Sequence, residues 1–137
     1  NGKILVSGIY KGFKKVYGVD LDSTGLKAAK ENCAKAANSF TSTTYEIIKA
    51  DAAKYNIPSD VNVIFLYNPF GYTTLKQVIE NTEASYRAST REIYLLYYSP
   101  EFSKAVEQSG MWQCIHQHKI KSGRTDFKIY KLTDKKE

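Results

Sequence analysis

Residues 14–32 read Lys14-Lys-Val-Tyr-Gly-Val-Asp20-Leu-Asp-Ser-Thr-Gly-Leu-Lys-Ala-Ala-Lys-Glu-Asn32. The pattern predicts a strand that ends in an acidic residue and leads straight into a helix. A carboxylate at that point can accept hydrogen bonds from both hydroxyls of a ribose, because its oxygens offer several lone pairs. Asp20 could equally serve only as a helix cap. The segment by itself leaves both roles open.

Apolar residues in the rest of the chain alternate between helical and strand periods, with turn signals between them. This alternation is typical of a parallel sheet covered by helices. Val61–Tyr67 and Ile93–Tyr98 are near-continuous apolar runs, which predicts neighbouring central strands covered on both faces. The predicted helices lie at about 3–11, 23–38, 74–88 and 100–109, and the other predicted strands at 15–20 and 45–49.

The last two predicted strands, at 112–121 and 126–132, flank the turn Ser122-Gly123-Arg124. That turn is too short to hold a crossover helix, so the two strands must run antiparallel, as a hairpin. The predicted fold class is α/β, a three-layer Rossmann-like sheet that is mostly parallel and ends in this hairpin. We expect residues 1–137 to form a single domain, since the 42% hydrophobic content suits one core.

The formal net charge of +6 permits an anionic partner. A solvated surface is the favoured interpretation, because a nucleic-acid footprint normally shows clustered Lys and Arg with base-stacking groups. Nucleic acid is therefore possible as a partner but not indicated, and the oligomeric state is not readable.

The two cysteines, Cys33 and Cys114, offer neither a disulfide framework nor a metal knuckle. We expect both to be reduced thiols in packed positions. The chain contains no apolar run near the roughly 18 residues of a membrane span, so we expect no membrane partner. Nothing resembles a charged leader followed by a short apolar segment, and a cytoplasmic location is the expectation.

The run Val-Tyr-Gly-Val-Asp-Leu-Asp at 16–22, followed by a helix with Ala-Lys-Glu-Asn at 29–32, resembles the second strand and following helix of class I S-adenosylmethionine-dependent methyltransferases. In that family the acid binds the ribose of the cofactor and the next residue packs on adenine. The resemblance assigns these two roles to Asp20 and Leu21 and implies S-adenosylmethionine as the cofactor.

Lys49-Ala-Asp-Ala-Ala53 resembles the end of the third strand in the same family, where an Asp addresses the adenine amino group. The resemblance assigns that role to Asp51 and Ala52. The alternative is another helix or turn cap.

Val63-Ile-Phe-Leu-Tyr-Asn-Pro-Phe-Gly71 resembles the fourth-strand motif that closes the family's active site. The resemblance assigns Tyr67 to the cofactor and Asn68, Pro69 and Phe70 to the substrate side. Amino-group methyltransferases carry two prolines in this motif, and here one is lacking. The acceptor therefore stays open between a small molecule, a protein and RNA, and a simple turn after a buried strand is the alternative for the motif itself.

Gly2 precedes Asp20 by 18 positions, about where the family's last loop glycine stands. The resemblance makes Gly2 the remnant of a Gly-x-Gly-x-Gly loop, whose backbone N–H groups approach the cofactor closely. We expect the first strand and the earlier glycines to precede Asn1. In this fold that strand lies between the strands ending at Asp20 and Tyr67, which would otherwise expose unpaired edges.

Methyl transfer from a sulfonium demands no particular catalytic residue, because the cofactor already carries the activation. The sequence gives no clear favourite for a general base. His116 and His118 share one strand face, but a third metal ligand is lacking, so an exposed hairpin face is the favoured interpretation. Tyr98-Ser-Pro100 follows a central strand at the rim where such sheets bind ligands, and is a further substrate-side candidate.

Two alternatives remain beside the methyltransferase. A nicotinamide- or nucleotide-dependent Rossmann enzyme also places an acid after its second strand. A non-catalytic methyltransferase-like binding module would keep the fold and lack the glycine loop. The terminal hairpin, Asp51 and the run Asn68–Phe70 favour the methyltransferase over the first alternative.

Overall fold

The computed structural model describes residues 15–20, 23–39, 44–67 and 71–133 of the chain. It divides into two compact units, at residues 1–52 and 53–137. The elements are β1 (Lys15–Asp20), α1 (Ser23–Ser39), β2 (Thr44–Lys49), a 3-10 helix (Ala52–Lys54), β3 (Val63–Tyr67), α2 (Tyr72–Ala88), β4 (Tyr94–Tyr98), α3 (Ser103–Glu107), β5 (Trp112–Lys119) and β6 (Thr125–Leu132).

The first unit is a β1–α1–β2 arrangement in which the two strands are parallel neighbours. Helix α1 connects them, as a parallel pair requires. Ala29 and Cys33, one helical turn apart, are both buried, whereas Lys30 is exposed. These two positions therefore belong to the buried face of the helix. Burial raises the pKa of the Cys33 thiol.

The second unit contains a four-stranded sheet in the order β3-β4-β6-β5. Strands β3 and β4 are parallel neighbours, as predicted, and β5 and β6 form the predicted antiparallel hairpin. Strand β6 lies between β4 and β5 and is antiparallel to both. The α/β class is confirmed, but the expectation of a mostly parallel sheet is wrong. The tight hairpin turn reverses the direction of the chain between β5 and β6. Two of the four described strand pairings are therefore antiparallel, and the four-stranded sheet is a mixed sheet.

Burial alternates along β4 and distinguishes the two faces of this sheet. Leu95 and Tyr97 are buried, and Tyr94, Leu96 and Tyr98 are only partly buried, as the period of two in a strand requires. Tyr97 and Tyr98 therefore point to opposite faces of the sheet. The core on the buried face contains Leu66, Leu75, Ile79, Tyr86, Ile93, Leu95, Tyr97, Ala105, Val106, Trp112, Tyr130 and Leu132.

Helix α2 supplies its buried face to this core through residues at helical spacing, Leu75, Val78, Ile79, Thr82, Glu83 and Tyr86. Each fully buried aliphatic side chain contributes about 1.5–3 kcal/mol relative to an exposed one. The hydroxyl of Thr82 donates to the carbonyl of Val78 at 2.8 Å, which satisfies that polar group within the helix. Packing therefore holds α2 on the sheet.

The Arg91 side chain joins the segment between α2 and β4 to neighbouring parts of the second unit. Its guanidinium donates five hydrogen bonds, to the carbonyl oxygens of Pro58, Val61, Ser85 and Ser89 and to the hydroxyl of Ser85. These bonds join the end of α2 to the loop before β3. A guanidinium with its donors in a fixed fork suits this role better than any other side chain.

Three further expectations have different outcomes. Helix α3 is shorter than the predicted 100–109, because residues 101 and 102 form a turn before it and Gly110, with a φ of 75°, follows its end. Cys114 is exposed, so its predicted packed position is wrong: β5 is an edge strand and the hairpin leaves most of its side chains in contact with solvent. The predicted helix at 3–11 lies outside the described residues.

Candidate functional site

The carboxyl ends of β1 and β2 bring two predicted site residues to one end of the first unit. Asp20 is the last residue of β1 and pairs in register with Lys49, the last residue of β2. Asp51 follows after one intervening residue and is partly buried. Because the strands are parallel neighbours, Asp20 and Asp51 belong to the same end of this pair. Ala52 begins the 3-10 helix directly after Asp51.

The remaining predicted residues divide between described and undescribed positions. Tyr67 is the last residue of β3 and pairs in register with Tyr98, the last residue of β4. The other predicted cofactor and substrate-side residues, Gly2, Leu21, Asn68, Pro69 and Phe70, lie outside the described residues. The predicted first strand also stays a prediction. Among the described strands, β1 pairs only with β2 and β3 only with β4, so each has a further edge.

Ser99 follows the carboxyl end of β4 in a left-handed conformation that L side chains rarely adopt. Its backbone N–H donates to the carbonyl of Asp126 at 2.8 Å, and its own carbonyl accepts from the N–H of Glu101 at 2.8 Å. The positive φ is therefore held from both sides. Residues in sparsely populated backbone conformations cluster at active sites. The substrate-side candidate at 98–100 stays a prediction.

Four aromatic rings form a row across the partly buried face of the second unit's sheet. Phe65 stacks on Tyr98 with ring centroids 5.2 Å apart, and Tyr98 stacks on Phe127 at 5.1 Å. His118 stacks on Phe127 at 5.5 Å, with an angle of 12° between the ring planes. Tyr98, Phe127 and His118 are register partners on β4, β6 and β5. These separations are typical of offset stacking. We define Phe65, Tyr98, Phe127 and His118 as the aromatic row.

His118 is the outer member of the aromatic row, on the edge strand β5. Its Nδ1 lies 3.6 Å from Oδ2 of Asp126, and the two side chains are 53% and 37% exposed. His116 contacts Phe127 as well, at 5.8 Å between centroids. The prediction that the two histidines share one face is thus confirmed, and so is their exposure on the hairpin.

Sequence reasoning did not identify Phe127 and Asp126 as neighbours of the predicted rim. The alternation of apolar and polar residues along β6 could have indicated the face of Phe127. The register that joins it to Tyr98 depends on the hairpin geometry, which residue types alone do not specify. Within the part of the chain that the structure describes, no group of three or more His, Cys, Asp or Glu side chains could hold a metal ion. None of the helices described has the length and apolar character needed to cross a membrane.

The fold is similar to those of several solved structures that are assigned as methyltransferases. Sp1610 from Streptococcus pneumoniae, provisionally assigned as a tRNA (m1A22) methyltransferase, matches with a TM-score of 0.66 and 12% identity over 99% of this chain and 61% of that one. YhhF from Escherichia coli, provisionally assigned as a methyltransferase, matches with a TM-score of 0.58 and 13% identity over 89% and 66%.

A protein of the NADB-Rossmann superfamily from Streptococcus agalactiae matches with a TM-score of 0.63 and 10% identity, over 99% of this chain and 60% of that one. The chain spans less than two thirds of each of these three structures. At such low identity the likeness shows the fold, which is Rossmann-like. No protein-family model matches the chain. A search of curated proteins gives no match either.

Proposed function

We propose that this protein is an S-adenosylmethionine-dependent methyltransferase. One observation carries the proposal: Asp20 pairs with Lys49 at the ends of two adjacent parallel strands, and Asp51 follows at the same end. Two carboxylates at neighbouring strand ends suit an adenosine, whose ribose diol and adenine amino group are both hydrogen-bond donors. The similar solved structures that are provisionally assigned as methyltransferases support the same proposal.

The donor chemistry of the first unit fits this cofactor. Asp20 would accept hydrogen bonds from the ribose hydroxyls and Asp51 from the adenine amino group. Leu21, next to Asp20 in sequence, would pack on the adenine ring, and Ala52 would lie with Asp51 at the adenine amino group. Gly2 would let the backbone approach the ligand closely. When bound, S-adenosylmethionine supplies an activated methyl group on a sulfonium.

The chain's own residues then have to orient the acceptor. The Asn68 amide can both donate to and accept from an acceptor group, and Pro69 restricts the backbone beside it. Phe70 and Tyr67 would shape an apolar pocket that excludes water. Positioning at near-attack distance is the main catalytic demand, since the leaving group is already charged.

A nicotinamide-dependent enzyme is the second candidate, and the similarity to the NADB-Rossmann protein from Streptococcus agalactiae favours it. Its cofactor also presents a ribose diol to an acid at the end of a strand. An acid for the adenine amino group after the following strand is the feature that separates the two, so Asp51 is the discriminating residue.

The test is ligand-dependent thermal stability of the native protein with S-adenosylmethionine, S-adenosylhomocysteine and NAD+. A ligand at about 100 times its dissociation constant stabilises the folded state by about 2.7 kcal/mol, which raises the melting temperature by several degrees. We expect both adenosyl sulfur ligands to do so, and Asp20→Asn and Asp51→Asn to reduce the shift.

Glu31→Gln is the matched control for these variants, because Glu31 is exposed on α1 and the substitution removes the same charge. Its ligand shift should equal that of the unmodified protein. Stabilisation by NAD+ alone would refute the methyltransferase proposal. We further propose a cytoplasmic location, which suits the free thiols of Cys33 and Cys114.

A further inference from the structure

Three cations cluster at the tip of the β5–β6 hairpin, within six residues of chain. Lys119, Lys121 and Arg124 are all exposed. Within the described part of the chain, none of the three side chains forms an ion pair. We define these three residues as the hairpin tip. They concentrate positive charge at an exposed turn, where a polyanion can contact all three side chains from solvent.

The other lysines of the hairpin are in a different electrostatic situation. Lys128 lies 3.4 Å from Oε2 of Glu107, and Lys131 lies 3.6 Å from Oε2 of Glu92. Their charges are therefore offset by acids of neighbouring elements. The contrast with the hairpin tip makes the positive charge at the turn local rather than spread along both strands.

The aromatic row ends beside the hairpin tip. His118, its outer member, is adjacent in sequence to Lys119 and stacks one face of its ring on Phe127. Strand β5 is the edge of the sheet, so the opposite face of the imidazole points away from the row, and the side chain is 53% exposed. A further flat ring placed there would continue the stack at the same spacing.

We propose that the hairpin tip and His118 bind single-stranded RNA, with phosphates at the three cations and one base stacked on the imidazole. An acidic protein would satisfy the cations but leave the ring face unused. A duplex hides its base faces within the helix, whereas unpaired bases of RNA loops are free to stack on side chains. Charge and ring together therefore favour single-stranded RNA.

This inference deepens the proposed function, because it names RNA as the class of methyl acceptor, and in that respect it rests on it. The binding step does not need the cofactor. Residues at this end of β4 and β6 include Ser99, whose N–H reaches the carbonyl of Asp126. RNA held at the hairpin tip would thus lie beside the rim that follows β4.

The first experiment measures fluorescence anisotropy of a labelled single-stranded RNA of about 15 nucleotides, a length within the range that one binding groove covers. The triple variant Lys119→Glu, Lys121→Glu and Arg124→Glu is compared with Lys27→Glu, Lys30→Glu and Lys35→Glu. The control lysines are exposed on α1, and both variants change the net charge equally.

We expect the hairpin-tip variant to lose about tenfold or more in affinity, and the slope of log K against log salt to fall in magnitude by about 2, since each lost phosphate contact removes about 0.7. The α1 control should keep its slope and stay within about threefold of the unmodified protein. Equal losses of RNA affinity in the two variants would overturn the proposal, because they would show that the affinity depends only on the net charge of the protein.

The second experiment separates stacking from charge at His118. His118→Gln removes the ring and should weaken RNA binding by about fivefold or more, whereas His118→Phe keeps a ring and should retain the affinity. Equal affinity in both variants would overturn the stacked base. Poly-glutamate that competes as well as RNA, and does so equally with His118→Gln, would assign the surface to an acidic protein instead.

Unfolding temperatures of all variants confirm that each one folds. Binding of S-adenosylmethionine, measured by calorimetry on the same samples, separates this inference from the proposed function. RNA binding that depends on the hairpin tip without cofactor binding would refute methyl transfer but not the RNA site. Cofactor binding with RNA affinity that is indifferent to the hairpin tip would refute only the RNA site.

Discussion

Trp112 Nε1 donates a hydrogen bond of 2.9 Å to Oε2 of Glu83, and both residues are buried. The same carboxylate oxygen accepts a bond of 2.6 Å from the hydroxyl of Ser109. Helix α2 is thereby joined to β5 and to the turn before it through one acid. A charged acceptor in such a position strengthens both bonds, and its loss would leave the indole N–H without a partner.

Replacing Glu83 should therefore destabilise the second unit. We expect Glu83→Ala to lower the free energy of unfolding by about 2–4 kcal/mol. The substitution leaves the buried indole N–H without an acceptor and opens a cavity, and both destabilise the folded state. Glu83→Gln keeps an acceptor oxygen and should cost about 1 kcal/mol. Urea unfolding monitored by Trp112 fluorescence measures both. Glu80→Gln, at an exposed position of the same helix, is the control and should be neutral.

Arg91 should tolerate lysine poorly. Lysine has three donors on a single nitrogen and cannot satisfy the five acceptor contacts that the guanidinium makes. We expect Arg91→Lys to cost about 2 kcal/mol and to increase proteolysis in the loop at 58–62, because the carbonyl oxygens of Pro58 and Val61 lose their hydrogen bonds from the guanidinium. Arg87→Lys, at an exposed position, should leave both readouts unchanged. Equal stability of the two variants would show that the Arg91 contacts are dispensable.

Tyr130 should make stability depend on alkaline pH. Burial, together with the bond of 2.6 Å from its hydroxyl to Oε2 of Glu107, raises the pKa of Tyr130 above its ordinary value of 10. A raised folded-state pKa stabilises the protein below the unfolded pKa, and this contribution disappears as pH rises above about 10. Tyr130→Phe removes the titrating group.

The measurement is urea unfolding of Tyr130→Phe and the unmodified protein between about pH 8 and pH 11. We expect the unmodified protein to be the more stable at the lower pH and the difference to shrink, or reverse, at the higher pH. Lysines titrate in the same range in both proteins, so only the difference between them is informative. A difference that stays constant with pH would contradict this prediction.

Ser99 should gain stability from glycine. A left-handed conformation costs an L residue about 1 kcal/mol that glycine does not incur, and part of this gain is offset by the greater freedom of glycine in the unfolded chain. We expect Ser99→Gly to raise the free energy of unfolding by up to about 1 kcal/mol. Ser89→Gly, at a φ of −147°, is the control and should give no gain. A loss of stability in Ser99→Gly would contradict this prediction, because it would show that the serine side chain contributes more to stability than relief of the positive φ.

The first unit was largely predictable from the sequence. The predicted strand at 15–20 agrees with the structure, and α1 and β2 differ from prediction by one residue at one end. Strongly periodic apolar residues and turn residues define these elements locally. The position of Asp20 and Asp51 at one end follows directly from two parallel strands joined by a helix.

The second unit was predictable in its elements but not in its details. The hairpin could be read from the short turn at Ser122–Arg124, but the place of β6 between β4 and β5 depends on non-local pairing. The same holds for the aromatic row, whose members come from four different strands. Arg91 and Glu83 look like ordinary surface charges in the sequence, because their partners are mostly distant carbonyl and side-chain groups. Such contacts leave no local pattern.

The unequal environments of the two cysteines provide a selective chemical handle. Cys33 has no exposed surface and a thiol whose pKa is raised by burial, whereas Cys114 lies exposed on β5. Because the thiolate is the reactive species, a maleimide dye should modify Cys114 and spare Cys33 in the folded protein. A fluorophore attached there would sit on the same strand as His118. Titrations of the native sequence could then be followed optically, without engineering a labelling position.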